Sequence, residues 1–348
     1  MTTGKAAIEY RSGKRRFSAG HMRFVAAALS ALMAAPLALG QARPATAADD
    51  YPSKAIRIVV PFAPGGGGDI VVRLISQKLT ERTHQSVVVD NRSGAGGDLG
   101  TALVAKAKPD GYTLVMANVA PMAINVTLDK HLPYDPRKDF APVSLIASFP
   151  NVLVVKPSLG VTTFQQLVDM ARKNPGKLTF ASAGTGSTTH LAAELLKSAG
   201  HLDLVHVPYR GGGPAAEATI SGDVSMYFAS LPAALSYMKN GQLLGLAVTS
   251  SKRWNTAQQI PTVAENGFPG FEAVTWIGIA APAGTPDVVV TKLNSLLGEI
   301  MHDPQVAAKV RELGAEPLTD TPQEFADYIK SEVDKWADVV RISGATLE

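Results

Sequence analysis

Apolar residues along this chain recur at two spacings. Short β-branched runs alternate with segments whose apolar positions return every three or four residues, and turns of small residues join them. "AIRIVVPFA" (55–63) reads as a buried strand; after Gly65–Gly68, Ile70, Val71, Leu74, Ile75 and Leu79 fall at helical spacing. "SVVVDN" (86–91) predicts a second strand. "GAGGDLG" leads into a helix with Leu99, Leu103, Val104 and Ala107 on one face, and a third strand spans Tyr112 to Ala117. This β-α-β-α-β order predicts a parallel, doubly wound sheet.

Residues 134–155 show little helical character, with apolar extended runs on both sides of Pro150, and read as a crossing into another domain. The βα order then restarts. "TTFQQLVDMARKN" predicts a helix, "LTFASA" a strand, and "STTHLAAELLKSAG" a helix with Leu191, Leu195 and Leu196 inward and Gly200 as its C-terminal cap. "LVHVPY" is a strand, and "RGGGPAAEATISG" turns into a short helix. "VSMYFA" and "LLGLAV" complete a second sheet. "TWIGIAAPAGTP" (275–286) runs back and precedes three helical patterns. In the last, Phe325, Tyr328, Ile329, Val333, Trp336 and Val340 form a core stripe. Two α/β lobes joined by two extended crossings place the glycine-rich turns on either side of a cleft. Open α/β sheets bind ligands at the carboxyl ends of their strands.

The first 47 residues change the charge picture. A basic segment with Lys5, Arg11, Lys14, Arg15, Arg16 and Arg23 precedes the apolar run "FVAAALSALMAAPLALG", and "ATA" at 45–47 supplies small residues for cleavage. This is a secretory signal pattern. The run is shorter than the roughly 20 residues a membrane span needs, and Pro36 and Gly40 interrupt it. Seven of the 33 basic and one of the 30 acidic side chains lie in residues 1–47, so the remaining chain carries 26 and 29, net −3. No basic patch for nucleic acid survives removal of the leader. With no cysteine among 348 residues, disulfides, Cys-ligated zinc and thiol chemistry are excluded. The reading is an exported, soluble protein.

A helix N-terminus presents unpaired N–H groups and partial positive charge, and glycine lets a ligand reach them. Glycine-rich turns before helices therefore suit an anion, although many such turns only reverse the chain. "PGGGGDIVV" and "AGTGSTTHL" lack the lysine of a Walker A loop. Gly-x-Gly-x-x-Gly fails from Gly65, Gly94 and Gly184, where the last position is Ile70, Leu99 and Thr189. Neither Gly-x-Ser-x-Gly near these turns nor His-Glu-x-x-His is present. No cofactor, metal or catalytic residue is therefore assigned. Asp69 reads equally as a helix-start acid or as a contact to a ligand amine or bridging water. Among Ser182, Thr185, Ser187, Thr188 and Thr189, one hydroxyl caps the helix and the others are free to bind a carboxylate. His190 starts a helix and bonds either a neighbour or a ligand; His206 reads as core. Arg210, before Gly211–Gly213, pairs with a ligand or lies on the surface.

Several long motifs in fixed order carry a family resemblance: "YPSKAIRIVVPFAPGGGGD", "VVVDNRSGAGGDLGT", "KPDGYTL", "FASAGTGSTTHLAAELL", "VPYRGGGPA" and "FPGFEAVTWIGIAAPAGTP". Over residues 51–345 the chain resembles the Bug/TctC family, the extracytoplasmic solute receptors of tripartite tricarboxylate transporters. The resemblance implies a periplasmic-binding-protein type II fold, an α/β architecture of two doubly wound lobes joined by a two-strand hinge. Residues 48–152 with 274–348 would form lobe 1 and residues 153–273 lobe 2. It implies a periplasmic, non-enzymatic, monomeric receptor for a small organic carboxylate, serving membrane permease subunits. A sensor kinase is the alternative partner, and an exported hydrolase the alternative class. The family pattern maps the second-lobe ligand turn onto Ser182, Ala183, Thr185, Gly186, Ser187 and Thr188. It maps the first-lobe turn, with bridging waters, onto Phe62, Ala63, Gly66, Gly67 and Asp69, and the mouth onto Tyr209, Gly211 and Gly212. The fourth glycine, where family members often carry a side chain, departs from the pattern and leaves pocket size open.

Overall fold

The buried β-branched run forms β1 (Ile56–Val60), and the turn after it feeds α1 (Gly67–Thr83). Then come β2 (Val87–Asn91), α2 (Asp98–Ala105) and β3 (Thr113–Asn118). β1 pairs in parallel with both β2 and β3, the predicted wound unit. The structure is a computed structural model that describes residues 51–346, all in one compact unit. The signal-peptide assignment at 1–47 lies outside the described residues.

β4 (Phe140–Val155) is a single strand of 16 residues, with Pro150 inside it and not between two runs. The second half follows as α3 (Phe164–Lys173), β5 (Thr179–Ser182), α4 (Thr188–Gly200), β6 (Val205–Pro208), α5 (Gly212–Ser221), β7 (Met226–Ser230), α6 (Leu231–Lys239) and β8 (Leu244–Val248). β9 (Val274–Pro282) returns and leads to α7 (Asp287–His302), α8 (Pro304–Glu312), the short β10 (Glu316–Pro317) and α9 (Pro322–Ser343).

Strand order along the sheet is β2-β1-β3-β9-β4-β7-β5-β6, with β8 and β10 also on β4. The outer parts are parallel, as expected. The centre is antiparallel, because β9 runs against both β3 and β4, and β4 against β7 and β8. β4 changes partner at Pro150–Asn151: Pro150 opposes Val274 on β9, and Asn151 opposes Ser230 on β7. A residue without an N–H donor is tolerated where one ladder gives way to another.

Three local expectations change. On α2 the buried face is Thr101 and Val104, whereas Leu99 is 61% and Leu103 38% exposed. This helix has only eight residues, too few for periodicity to fix its inward face. Leu99→Gln is therefore expected to shift unfolding free energy by less than about 0.5 kcal/mol in urea titrations, as at other exposed positions. α4 ends at Gly200, but the left-handed cap is His201, with φ of 50°. Helix α6, hidden in the apolar run after "MYFAS", went unpredicted.

α9 behaves as its sequence reads. Thr321 Oγ1 accepts from Glu324 N and Glu324 Oε2 accepts from Thr321 N, a capping box with Pro322 at the first turn. Phe325, Ile329, Val333, Trp336 and Val340 are buried, while Tyr328 of the same stripe is only partly buried against them. Glu332 is also buried, and its Oε2 accepts from the indoles of Trp276 on β9 and Trp336, both at 2.9 Å.

Candidate functional site

Four strands end in turns that open directly into helices: β1 into α1, β5 into α4, β6 into α5 and β7 into α6. Gly67, Thr188 and Gly212, the first residues of α1, α4 and α5, line one cavity of about 50 Å³, together with Ser230, the residue before α6. Each helix start carries partial positive charge and amides without an intrahelical acceptor. Among the described residues, the only charged one lining this cavity is Asp69. Phe62, Met116 and Phe149 supply apolar wall.

Asp69 is a structural acid in its geometry. Its Oδ2 accepts from Gly65 N and Arg73 Nε, and its Oδ1 from Asn91 Nδ2, all at 3.0 Å. The hydroxyls of the second turn are similarly committed. Ser187 caps α4: its Oγ donates to the Gly184 carbonyl at 2.6 Å and accepts from His190 N at 3.3 Å. Thr189 Oγ1 accepts from Ala183 N at 2.8 Å, and Thr188 Oγ1 pairs with Thr275 Oγ1 at 2.7 Å. The amides of Thr188 and Thr189 on one wall, and of Gly68 and Asp69 on the other, have no acceptor among the described residues. These are the donors available to an anion.

The two halves meet over this cavity, backbone to backbone. Ala63 N donates to the Arg210 carbonyl at 3.2 Å, and Gly67 N to Ser230 Oγ at 3.0 Å. A Cβ on Gly213 would lie 2.6 Å from the Pro64 carbonyl oxygen, and one on Gly67 2.8 Å from Ser230 Oγ. The glycine runs thus permit a close approach that any side chain would hold open.

Of the residues assigned from sequence, Phe62, Gly66, Gly67, Asp69, Ala183, Ser187, Thr188 and Gly212 line the cavity. Thr185 and Tyr209 line a second space of about 410 Å³, with Arg210, Asp98 and Asp129, and Phe62 and Ala183 line both spaces. Ser182, Gly186, Ala63 and Gly211 line neither. Ser182 Oγ is bound to His206 Nε2 at 2.6 Å, Gly186 N donates to His190 Nδ1 at 3.3 Å, and Gly211 packs against Ala63. Sequence reading missed Gly68, Met116, Asn118, Phe149, Asn151, Tyr227, Ser230 and Thr275. Asn118 and Ser230 carried a legible signal, a lone polar residue closing a buried apolar strand; Met116, Phe149 and Tyr227 look like ordinary core.

Behind the second turn, His190 and His206 stack with centroids 4.2 Å apart, next to Phe180. His190 lines neither of these two spaces, and its Nδ1 accepts from Gly186 N. His206 is half-buried, less enclosed than a core residue, because β6 lies at the sheet edge. The Ser182–His206 pair resembles part of a nucleophilic dyad, but Ser182 is fully buried.

Burial lowers His190 to about 3, helped by His206 and Lys197, and lowers His206 to about 4. Both return to about 6.5 on unfolding, so the unfolded chain binds more protons between these limits. Asp98, raised to about 6 by burial, opposes them, since its folded form holds a proton up to that pH. Two groups outweigh one. Stability is expected to be full above about pH 6.5 and to fall as pH drops toward 4. His206→Phe, which retains the stack, should flatten that decline in urea titrations run as a pH series.

Among the described residues, no group of three or more His, Cys, Asp or Glu is placed to hold a metal, and no helix is long and apolar enough to cross a membrane.

Residues 71–344 match the family described as the tripartite tricarboxylate transporter family receptor, TctC. A UPF0065 protein from the tcbD-tcbE intergenic region of a Pseudomonas species is 41% identical over 293 residues, 84% of this chain and 87% of that protein. Protein BugT of Bordetella pertussis is 36% identical over 302 residues, 86% of this chain and 93% of BugT. A solved periplasmic transporter superimposes with a TM-score of 0.83 at 41% identity, covering 86% of this chain and all of that one. An R. palustris protein solved with adipate gives 0.83 at 38%, covering 85% and 100%. MatC from Rhodopseudomonas palustris with bound malate gives 0.79 at 31%, covering 83% and 100%. The fold is that of the two-lobed periplasmic binding proteins, and with the family match running from the first turn of α1 to the end of α9, the chain belongs to the TctC family of tripartite tricarboxylate transporter receptors.

Proposed function

We propose that this protein captures a small organic carboxylate in the periplasm and delivers it to a membrane permease of the tripartite tricarboxylate type. The observation that carries the reading is the cavity where four helix starts converge and where, among the described residues, no cationic side chain lines the wall. A carboxylate there is held by backbone donors and helix dipoles. That the related R. palustris proteins were solved with adipate and malate supports the same ligand class.

The lobes are taken as residues 48–152 with 274–348, and 153–273, hinged where β4 leaves β9 at Pro150–Asn151 and where the chain returns into β9 at 273–274. Binding favours the arrangement in which the turns at 63–68 and 210–213 touch, and this closed face is what the permease reads. Export follows from the basic and apolar leader.

Thermal shift assays of the leaderless protein against mono-, di- and tricarboxylates test the reading. An acid present at about 100 times its Kd adds about 2.7 kcal/mol of stability, which raises Tm of a chain of this length by about 4 °C. The expected Kd is micromolar or below. A panel in which no acid shifts Tm contradicts the assignment.

A further inference from the structure

Two residues lining the cavity carry wholly buried polar atoms: Asn151 Oδ1, which has no hydrogen-bond partner among the described residues, and the Tyr227 hydroxyl, whose interaction with the Thr189 side chain falls short of hydrogen-bond geometry. Asn151 is 0% and Tyr227 1% exposed. An unmatched buried polar atom is costly, so Asn151 Oδ1, on a residue lining the same cavity as a hydroxyl with bonding capacity to spare, calls for a ligand group that completes it.

The orientation of Asn151 is fixed by its other contacts. Its backbone N donates to Thr249 Oγ1 at 2.9 Å and its carbonyl accepts from Thr249 N at 2.9 Å. Nδ2 donates to the Ala273 carbonyl at 3.3 Å. Flipping the amide would set Oδ1 against that carbonyl, so the free atom is the acceptor. An acceptor repels a carboxylate oxygen and requires a donor from the ligand. Tyr227 comes from β7, and burial raises its pKa well above the ordinary value. It stays protonated and both donates and accepts.

We infer that Asn151 and Tyr227 form a hydroxyl-reading subsite, so that the acid captured here is a hydroxy acid in preference to its deoxy counterpart. The inference rests on the carboxylate reading above, which assigns the helix-start amides to the carboxylate. The ligand hydroxyl donates to Asn151 Oδ1 and accepts from Tyr227. An ammonium group would also donate, but Asp69, the one carboxylate in the lining, is already engaged by three donors. A cation buried without a free counter-charge bears a large desolvation cost. A neutral hydroxyl does not.

Isothermal titration with matched acids tests this: malate and succinate, 2-hydroxyglutarate and glutarate, lactate and propionate, with aspartate and glutamate as amino counterparts. In at least one pair the hydroxy acid should bind about tenfold or more tighter than the deoxy acid, since a site built for a hydroxyl rejects ligands lacking it. In Tyr227→Phe and, independently, Asn151→Leu, that ratio should fall toward one. Tyr227→Phe retains the buried ring and keeps the test open should Asn151→Leu fail to fold. If deoxy acids bind as well as hydroxy acids in every pair, the subsite holds only water; the inference fails while carboxylate capture stands. Preference for aspartate over malate would make it an ammonium site and overturn the inference as well. If no acid binds, both readings fall together. A hydroxy-acid preference that survives both substitutions would also overturn the inference, by placing the reading group elsewhere.

Discussion

Gly213→Val is expected to weaken ligand binding about 10- to 100-fold while leaving Tm of the unliganded protein within about 3 °C. Gly213 sits in the first turn of α5 with no positive φ, so valine can adopt its backbone conformation. The added Cβ meets the Pro64 carbonyl at 2.6 Å, and that atom belongs to the opposite turn. Under the proposed hinge motion, only the arrangement in which the turns touch is penalised. Overpacking of this kind costs about 1–3 kcal/mol, and about 1.4 kcal/mol is tenfold in Kd. Titration calorimetry on variant and parent, with a thermal scan of each, separates binding from folding. Gly213→Ala should show a smaller loss in the same direction. Unchanged affinity would mean that these turns do not meet in the bound protein.

Glu332→Ala is expected to cost about 2–4 kcal/mol of stability, the scale of two buried donors each left without an acceptor. The carboxylate is 4% exposed and accepts from Trp276 Nε1, Trp336 Nε1 and Lys335 Nζ. Alanine leaves two buried indole donors without an acceptor, where each unmade bond carries its own penalty. Because Trp276 lies on β9 and Trp336 on α9, the same carboxylate ties the returning strand to the C-terminal helix. Glu332→Gln keeps one acceptor oxygen and should lose less. Urea unfolding followed by tryptophan fluorescence reads both. A loss below about 1 kcal/mol for alanine would show that the indoles find other partners.

Much of this fold is written locally. Runs such as Ile56–Val60 and Met226–Ser230 are apolar enough to be strands in any context, and the Thr321–Glu324 box announces α9 before any tertiary contact forms. What could not be read depends on partners distant in sequence. Pro150 divides two apolar runs by composition, yet the strand continues because β9 and β7 take over its two sides in turn. Leu99 looks inward on a helical wheel and is outward in the fold, since so short a helix leaves its orientation to the sheet beneath.

The site divides in the same way. Gly66, Gly67, Ser187 and Thr188 were visible because a glycine or hydroxyl turn between strand and helix has its own chemistry. Asn151 and Tyr227 were not. A lone asparagine after a proline and a tyrosine in an apolar strand become cavity walls only when Pro150–Asn151 brings the two halves together. Ser182 and Gly186 show the converse: they sit in the right turn but spend their polar groups on His206 and His190 behind it.

The central claim is that helix-start amides hold a carboxylate without help from a cationic side chain. Titration calorimetry of the leaderless protein with its best-bound acid and with the corresponding amide tests it most directly. The amide removes the negative charge and keeps nearly the same shape. The account predicts micromolar or tighter binding of the acid and a loss of about 100-fold or more for the amide, the scale on which a charge-assisted set of hydrogen bonds outweighs a neutral one. Equal affinity for acid and amide would contradict it.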